Sequence, residues 1–492
     1  MRRTLVALLT PLVLFSACTV GPDYRRPDVP LPAAYRGPEV GAPAGASSFG
    51  ELAWWELFAD PDLQALIRTA LSANYDLRIA ATRILQAQAQ LTITRAPQFP
   101  TVNAQADAPY TGLVGSPRPA LTPGQLFSPE GGLTLGWELD LWGKYRRATE
   151  GARAQLLASE DFREGVVITL IAQVALAYFD LRTLDLDLAI SKRTLASRQQ
   201  SVTLVRARLE GGVAGILDLQ QAEILLYGAT KAIPDLERQI EQTENFLSIL
   251  LGKNPGPIPR GRPLTEQLAP PAVPAGLPAE LLTRRPDVRQ AEAQLVAATA
   301  QIGVAKAQLY PQVTLAGFAG AGGLVVSGDT FGPLGVFRVL PVITLPLFNA
   351  GALAAGVDLA DAQTQQAVLG YQQTILQALR EVADGLIEIQ KRQAFRVEQE
   401  RLTQTLAAAS QVAQLRYEGG VSSYLEVLDT ERQYFQAELD LSLAQRDELK
   451  AIVTLYRALG GGWQAEAAAT PSRSSEGDAP VAAATPVAAR QP

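Results

Sequence analysis

The chain has 492 residues, 47% of them hydrophobic, with 43 basic and 49 acidic side chains and a formal charge of −6. It contains no histidine and a single cysteine, which excludes Ser-His-Asp and Cys-His catalysis, most transition-metal sites and an intrachain disulfide. No block of basic residues stands out, so the charge pattern does not suit nucleic acid.

The first 18 residues read MRRTLVALLTPLVLFSAC. Arg2 and Arg3 form a basic start, Leu5 to Phe15 an apolar core, and Ser16-Ala17 a small-residue cleavage site. Residues 1–17 are therefore expected to be a signal peptide. A cysteine directly after that site resembles a bacterial lipobox, with Phe15 where Leu is usual. The resemblance implies a covalent N-acyl diacylglycerol lipid on Cys18. Thr19 follows it rather than the Asp that marks inner-membrane retention, which favours the outer membrane. Residues 18–59 are expected to run extended over the surface. After the leader no segment offers 18 continuous apolar residues, so a second crossing of a membrane requires a closed β-barrel.

From residue 60 the chain is written twice. DLRIAATRILQAQAQLTITRAPQFPTV (76–102) parallels DVRQAEAQLVAATAQIGVAKAQLYPQV (287–313). LDLWGK (139–144) parallels LPLFNAG (345–351), and RLEGGVAGILDLQQAE (208–223) parallels RYEGGVSSYLEVLDTE (416–431) with 7 of 16 positions identical. The first repeat is read as 60–252 and the second as 278–463. A Pro-rich linker, 253–277, joins them, and a disordered tail follows over 464–492.

Each repeat opens on a proline in a first helical turn, after Asp60-Pro61 and at Pro286-Asp287. A helix of some twenty residues then stops before Pro100 or Pro311. Strands follow, at about 101–112 and 131–142 in the first repeat, and at about 312–323 and 335–348 in the second. GLTLGWELDLW places Leu133, Leu135, Trp137, Leu139 and Leu141 on one face, with Thr134, Glu138 and Asp140 on the other. FRVLPVITLPL carries Phe337, Val339, Ile343 and Leu345 on one face but is apolar on both. Gly- and Pro-rich loops are expected at about 113–128 and 326–334.

Residues 144–210 and 351–418 contain no proline, and each as one helix would be roughly 100 Å long. Val174, Leu181, Leu188, Leu195, Val202 and Leu209 recur every seven positions, the spacing of a coiled-coil seam. Paired glycines then break each run, and helices return over 216–252, where Pro234 should introduce a kink, and over 422–459. Four strands with one apolar face leave two open edges. Closure needs further copies, and twelve strands from three chains would enclose a water-filled pore lined by Thr134, Glu138 and Asp140.

CTVGPDYRRP, WWELFADPDLQALIRTALSANYDLRIA, RYEGGVSSYLEVLDTER and LYRALGGGW occur in that order over residues 18–463. In these stretches the chain resembles the TolC-type outer membrane efflux proteins, NodT lipoprotein branch. The resemblance implies a mainly α fold with a β-barrel part: a homotrimer whose 12-stranded transmembrane β-barrel continues into a long periplasmic α-helical barrel. It implies a passive channel in a tripartite efflux pump, exporting drugs or other small molecules. The implied partners are outer membrane lipid, a periplasmic adaptor protein and an inner-membrane transporter of the resistance-nodulation-division type. No catalytic motif, metal or further cofactor is evident. The alternative is a non-pore structural or binding lipoprotein that uses its coiled-coil hairpins as a scaffold.

Gly211, Gly212, Gly419 and Gly420 stand where helix must reverse, and turn chemistry accounts for most of their role. By resemblance these tips also contact the adaptor, with Val213, Ala214, Val421 and Ser422 exposed nearby. Just beyond lie Asp218, its counterpart Glu426, and Asp429. In a trimer each would form a ring of three carboxylates, which attracts cations and repels itself, as suits a gate. The resemblance places Glu426 and Asp429 in an aperture motif and matches Tyr417 to a tyrosine that holds the closed state. Ser422 stands where some relatives carry a bridging arginine. The plainer reading makes these acids solvated first-turn residues at helix N-termini. Arg208 and Arg416 are expected to pair with Glu210 or Glu418 or to face solvent. Trp54 and Trp55 suit packing near the barrel's waist, and Trp137 and Trp142 suit an interfacial girdle.

Overall fold

The computed structural model describes residues 19–36, 49–112, 125–267, 278–326 and 329–461. The signal peptide, Cys18, the 113–124 part of the first expected loop and the 464–492 tail lie outside the described residues.

The helices are α1 (Trp54–Leu57), α2 (Pro61–Ala73), α3 (Tyr75–Arg95), α4 (Lys144–Glu210), α5 (Ile216–Leu250), α6 (Leu281–Arg284), α7 (Pro286–Ala307), α8 (Ala352–Glu418) and α9 (Tyr424–Ala458). The strands are β1 (Thr101–Asp107), β2 (Tyr110–Gly112), β3 (Gln125–Phe127), β4 (Glu130–Leu139), β5 (Gln312–Val326) and β6 (Asp329–Thr344). The fold is mainly helical with one antiparallel sheet. Helices α4 and α8 each have 67 residues, and α5 and α9 each have 35. Pro234 lies inside the continuous helix α5 rather than ending it.

The long helices take their burial from lateral seams. Val174, Leu181 and Val202 of α4 are buried, and Leu188, Leu195 and Leu209 are half-buried. The deepest packing is at the waist, where Trp54, Phe58, Leu63, Ile67, Tyr178, Phe179, Leu247, Leu251, Leu455 and Tyr456 form one cluster. Each such apolar side chain contributes about 1.5–3 kcal/mol on burial. Trp54 sits in this cluster, edge-on to Trp55 with ring centroids 5.5 Å apart.

Asp60 ties the waist together. It caps α2 by accepting from the Asp62 N–H at 3.0 Å. Its Oδ2 accepts from the Tyr178 hydroxyl at 2.8 Å, the Arg262 N–H at 3.0 Å and the Gln267 amide at 2.8 Å. Residue Asp60 is only 1% exposed. Burial alone would raise its pKa. Hydrogen bonds from Gln267, Tyr178 and the N–H groups of Asp62 and Arg262 outweigh that and hold the carboxyl below the ordinary carboxylate value.

Residues 19–36 form a strap along the body. The Val20 N–H donates to the Trp142 carbonyl at 3.0 Å. Arg147 pairs with Asp23 at 2.6 Å and Arg26 with Glu292 at 2.7 Å, and the Tyr24 hydroxyl donates to Glu292 at 2.8 Å. Val29, Leu31 and Tyr35 then pack on the waist cluster.

In the sheet β1 pairs β4, β4 pairs β5, and β5 pairs β6, all antiparallel; the short β2–β3 pair attaches through β3 to β5. Residues 329–334, expected to be loop, belong to β6. Pro333 and Pro341 fall within β6, which among the described residues pairs with β5 alone, and proline can stand on an edge strand. The register sorts the side chains into two faces. Val102, Leu133, Leu135, Trp137, Leu315, Phe337, Val339 and Ile343 share one, and Phe337 is 83% exposed. Thr101, Asn103, Gln105, Asp107, Glu130, Thr134, Glu138, Phe318 and Arg338 share the other. On β6 that second face also carries Leu334, Leu340 and Val342.

β4 ends at Leu139, so Asp140, Leu141 and Trp142 are not strand residues. Asp140 is engaged at the start of α4. Its carboxylate accepts from the Tyr145 and Arg146 N–H groups at 3.1 and 2.9 Å, capping the first turn of α4. Trp137 and Trp142 donate from Nε1 to the carbonyls of Gln98 at 3.1 Å and Pro311 at 2.7 Å, and Trp142 stacks on Tyr310. Both indoles thus sit where strand gives way to helix.

Asp60→Asn is expected to destabilise the protein by about 2–3 kcal/mol at neutral pH, because four donors lose a charged acceptor. The native pKa lies below the unfolded one. The contribution is therefore present above the ordinary carboxylate value and lost as pH falls through the native pKa. In urea unfolding, the gap between wild type and variant should shrink on the acid limb. A gap that stays constant to pH 3 would refute this role.

Candidate functional site

The hairpin tips are built from the helix ends upward. Helix α4 ends at Gly211, and Gly212 turns left-handed at φ +74°. The Val213 N–H returns to the Arg208 carbonyl at 2.9 Å and the Gly212 N–H to Leu209 at 2.9 Å. The second tip has the same bonds, Val421 to Arg416 and Gly420 to Tyr417, both 2.9 Å, with Gly420 at φ +71°. Each is a Schellman turn, and the positive φ explains the second glycine of each pair. A Cβ at Gly212 or Gly420 would meet nothing, so conformation rather than crowding requires glycine there.

Val213 and Val421 are 70% and 71% exposed. Ala214 and Ser422, expected to be exposed, are half-buried, and the Ser422 hydroxyl is buried with no hydrogen-bond partner among the described residues. The reason is a small core behind the turns. It contains Val202 and Val205 of α4, Ala222 of α5, Ala413 and Tyr417 of α8, and Tyr424 and Val427 of α9. The Tyr417 and Tyr424 rings meet edge to face with centroids 5.3 Å apart. Burial raises both phenol pKa values, and Arg208 partly offsets this at Tyr417.

Arg208 departs from both expected placements, whereas Arg416 is exposed as one of them had it and meets an acid other than Glu418. The Arg208 guanidinium lies 4.4 Å from the Tyr417 ring centre and donates to the Tyr417 carbonyl at 2.9 Å. A cation over an aromatic face with a carbonyl in reach outcompetes a solvent-exposed carboxylate. Arg416 pairs with Glu426 at 3.5 Å rather than with Glu418.

The acids have local partners within the chain. Asp218 accepts from the Gly215 N–H at 3.0 Å, as a first-turn residue does. Asp429 accepts from Arg432 at 2.9 Å and Gln433 at 2.6 Å on its own helix. The structure therefore brings Tyr417 to Arg208 and Glu426 to Arg416, gives Asp218 and Asp429 hydrogen-bond partners from their own helix ends or turns, and sets the Asp218 charge near Tyr417 and Tyr424 of the other hairpin.

Between the hairpins, α4 meets α9 along a polar seam that sequence reasoning missed. Lys450 binds Asp180 at 3.0 Å, and Arg193 pairs with Glu438. The Ser442 hydroxyl donates to Asp187. Nearer the tips Arg198 is buried, donates to the Leu225 carbonyl at 2.6 Å and lies 4.9 Å from the Phe435 ring centre. Burial raises the Glu431 carboxyl, against the neighbouring Arg198 charge and a Ser201 hydrogen bond. The available signal was Arg198 itself, a cation three positions after Leu195 in an otherwise apolar stripe.

Burial pushes Asp187 up to about 6, against the Ser442 bond and the Arg446 charge. A raised carboxyl favours the packed state most below its unfolded pKa, and that contribution is lost as pH rises through about 6. Asp187→Asn should therefore leave stability nearly unchanged at pH 4 and raise it by about 1–3 kcal/mol above pH 6. Thermal melts at the two pH values measure this, and a variant less stable than wild type at pH 7.5 would contradict it.

The profile of the outer membrane efflux proteins matches residues 66–253 and 277–461. The chain is 37% identical over 458 residues to the solvent efflux pump outer membrane protein SrpC of Pseudomonas putida, covering 92% of this chain and 97% of that one. It is 34% identical over 453 residues to the cation efflux system protein CusC of Escherichia coli, covering 91% and 96%. Among solved structures, the outer-membrane channel OprN superposes with a TM-score of 0.82 at 34% identity, over 91% of this chain and all 100% of that one. The open state of the Neisseria gonorrhoeae MtrE outer membrane channel gives 0.80 at 32% identity, over 90% and 98%.

Proposed function

The chain belongs to the outer membrane efflux protein family, and on that premise we propose that it is the passive outer membrane conduit of a tripartite efflux pump. The observation that carries this reading is the two-faced sheet. One face is apolar and exposed, the other mostly polar, and β1 and β6 each have one strand partner among the described residues. An apolar outer face suits lipid, but a bilayer admits no open sheet edge. Closure by β6 of one copy against β1 of the next, in a homotrimer, removes both edges and gives a 12-stranded barrel with a wet lumen. The paired helix lengths support an internal duplication that contributes two hairpins per chain to a periplasmic helical barrel. Exposed Ile224, Tyr227 and Phe246 on α5, with Leu359, Leu369 and Leu376 on α8, supply apolar faces for neighbouring copies.

The tips are the proposed gate and adaptor contact. Rings of Asp218, Glu426 and Asp429 line the aperture, with Tyr417 holding the packed state. Gly211, Gly212, Val213, Gly419, Gly420, Val421 and Ser422 meet a periplasmic adaptor, which links the conduit to an inner-membrane transporter of the resistance-nodulation-division type. Ser422 cannot supply a cationic bridge, and Arg208 on Tyr417 supplies one within the subunit instead. Cys18 carries the lipid anchor, one residue before the strap whose Val20 N–H bonds the Trp142 carbonyl. SrpC and CusC bear names that specify solvent and cation cargo. This chain has no histidine and only the initiator methionine, so it lacks the soft and imidazole ligands of a metal relay. Small organic molecules are the proposed cargo.

Purified trimer in a planar bilayer is expected to pass a small current that rises several-fold in Asp429→Ala, as a ring of charges at a constriction is removed. Absence of any pore current from wild-type trimer would sink the conduit reading. Cys18→Ala should lose palmitate label in cells while trimer still assembles, because the barrel anchors itself. Label retained by that variant would exclude acylation at Cys18.

A further inference from the structure

The polar face of the sheet carries a charge arrangement toward its loop end that the tip gate does not use. Asp107 and Glu130 stand directly opposite each other across β1 and β4. Like charges in that position repel. Two contacts relieve them. The Gln105 amide donates to Asp107 at 2.6 Å, and the Arg338 guanidinium binds Glu130. Arg338 is the only cationic side chain on that face among the described strand residues.

Arg338 is also held from below. Its cross-strand partner is Phe318, and its guanidinium carbon lies 5.0 Å from the Phe318 ring centre. Phe318 can lie along the sheet because Gly320 follows on the same face. A Cβ at Gly320 would come within 2.9 Å of the ring's Cζ and 2.6 Å of the Gly132 Cα. The glycine pair makes a floor, the ring lies over it, and the arginine is stacked on the ring and tethered to Glu130. Such a stack restricts a long side chain that would otherwise sample many rotamers.

We propose that Arg338 sets the charge preference of the outer half of the conduit. It offsets one of two carboxylates per subunit, so the lumen favours cations over anions only moderately. This rests on the trimeric conduit reading above. Twelve strands spaced about 4.8 Å apart and tilted about 40° close at a backbone radius of about 12 Å. An arginine reaching inward leaves an opening narrower than the Debye length of about 10 Å at 0.1 M salt. Charges on this face are therefore felt across the lumen. Glu138, on the same face, is already engaged by Lys144 at 2.9 Å, which leaves Asp107, Glu130 and Arg338 as the determining set among the described strand side chains.

Reversal potentials of purified trimer in a potassium chloride gradient test the proposal, with every form compared in an Asp429→Ala background so that the tip constriction does not set the ratio. Arg338→Gln should raise the cation-to-anion permeability ratio on the order of twofold at 0.1 M salt. Glu130→Gln frees the guanidinium charge and should lower the ratio by a similar factor. Arg338→Lys keeps the charge and should stay near wild type, which separates charge from folding defects. Ratios equal in wild type, Arg338→Gln and Glu130→Gln would overturn the assignment. So would a change of the same sign in both neutralising variants. A wild-type trimer that passes no current would instead overturn the conduit reading itself.

Discussion

A helix of 67 residues has no core of its own. At 1.5 Å per residue it extends about 100 Å, far beyond the width of any cluster it can join, so its stability must come from seams along its length. The hairpins meet this constraint with an apolar stripe of seven-residue period on α4. The waist meets it once more, where short helices α1, α2 and α6 and the N-terminal strap gather around the middle of the long ones. Asp60 is the polar centre of that gathering. It draws Tyr178 of α4 and residues 262 and 267 of the linker onto one carboxylate.

The large elements were legible because helix and turn chemistry are local. Freedom from proline bounds α4 and α8, and the Gly-Gly pairs mark the turns through the positive φ of the second glycine. The two faces of β4 were readable by alternation, and the register of the sheet extends that division to β1 and β5. What was not legible depends on residues far apart in sequence. Asp60-Pro61 reads as a helix start, and nothing nearby announces that residues 178, 262 and 267 will donate to it. Asp140 continues the alternation of β4 on paper, but the chain turns into α4 there, and capping takes the carboxylate. The 326–334 segment reads as loop from its glycines and proline, yet the long partner β5 carries its pairing through to Asp329.

The tip residues show the same division. Turn glycines were readable one by one, whereas the partners of the charged groups were not. Spacing offered Glu210 and Glu418 to the arginines. Arg208 instead takes an aromatic face and a carbonyl on the other hairpin, and Arg416 takes Glu426 across its own turn. In water an exposed ion pair is worth about 0–1 kcal/mol. A cation stacked on a half-desolvated ring is worth at least as much and is less screened by salt. A contact between hairpins was therefore preferred over one within a helix.

The two kinds of seam differ in what it takes to part them. Within the hairpins the contact is mixed: apolar residues pack beside Lys192–Glu237 and Arg206–Glu223 in the first and Arg392–Asp447 and Arg396–Glu448 in the second, and separating it also exposes apolar surface at about 25 cal/mol per Å². Between α4 and α9 the contact is largely polar: Asp180 with Lys450, Asp187 with Ser442, Arg193 with Glu438 and Arg198 beside Glu431. Water can replace most of those partners as the helices separate, and the buried carboxylates Asp187 and Glu431 gain hydration by it. Two hairpins each closed by its own Schellman turn, with a shared seam that can be rehydrated, are suited to move as separate arms. Motion of that kind is what a gate at their ends requires, because the tip core spans both hairpins and must divide between them. The Arg208–Tyr417 contact lies across that division, at the point where parting of the arms begins.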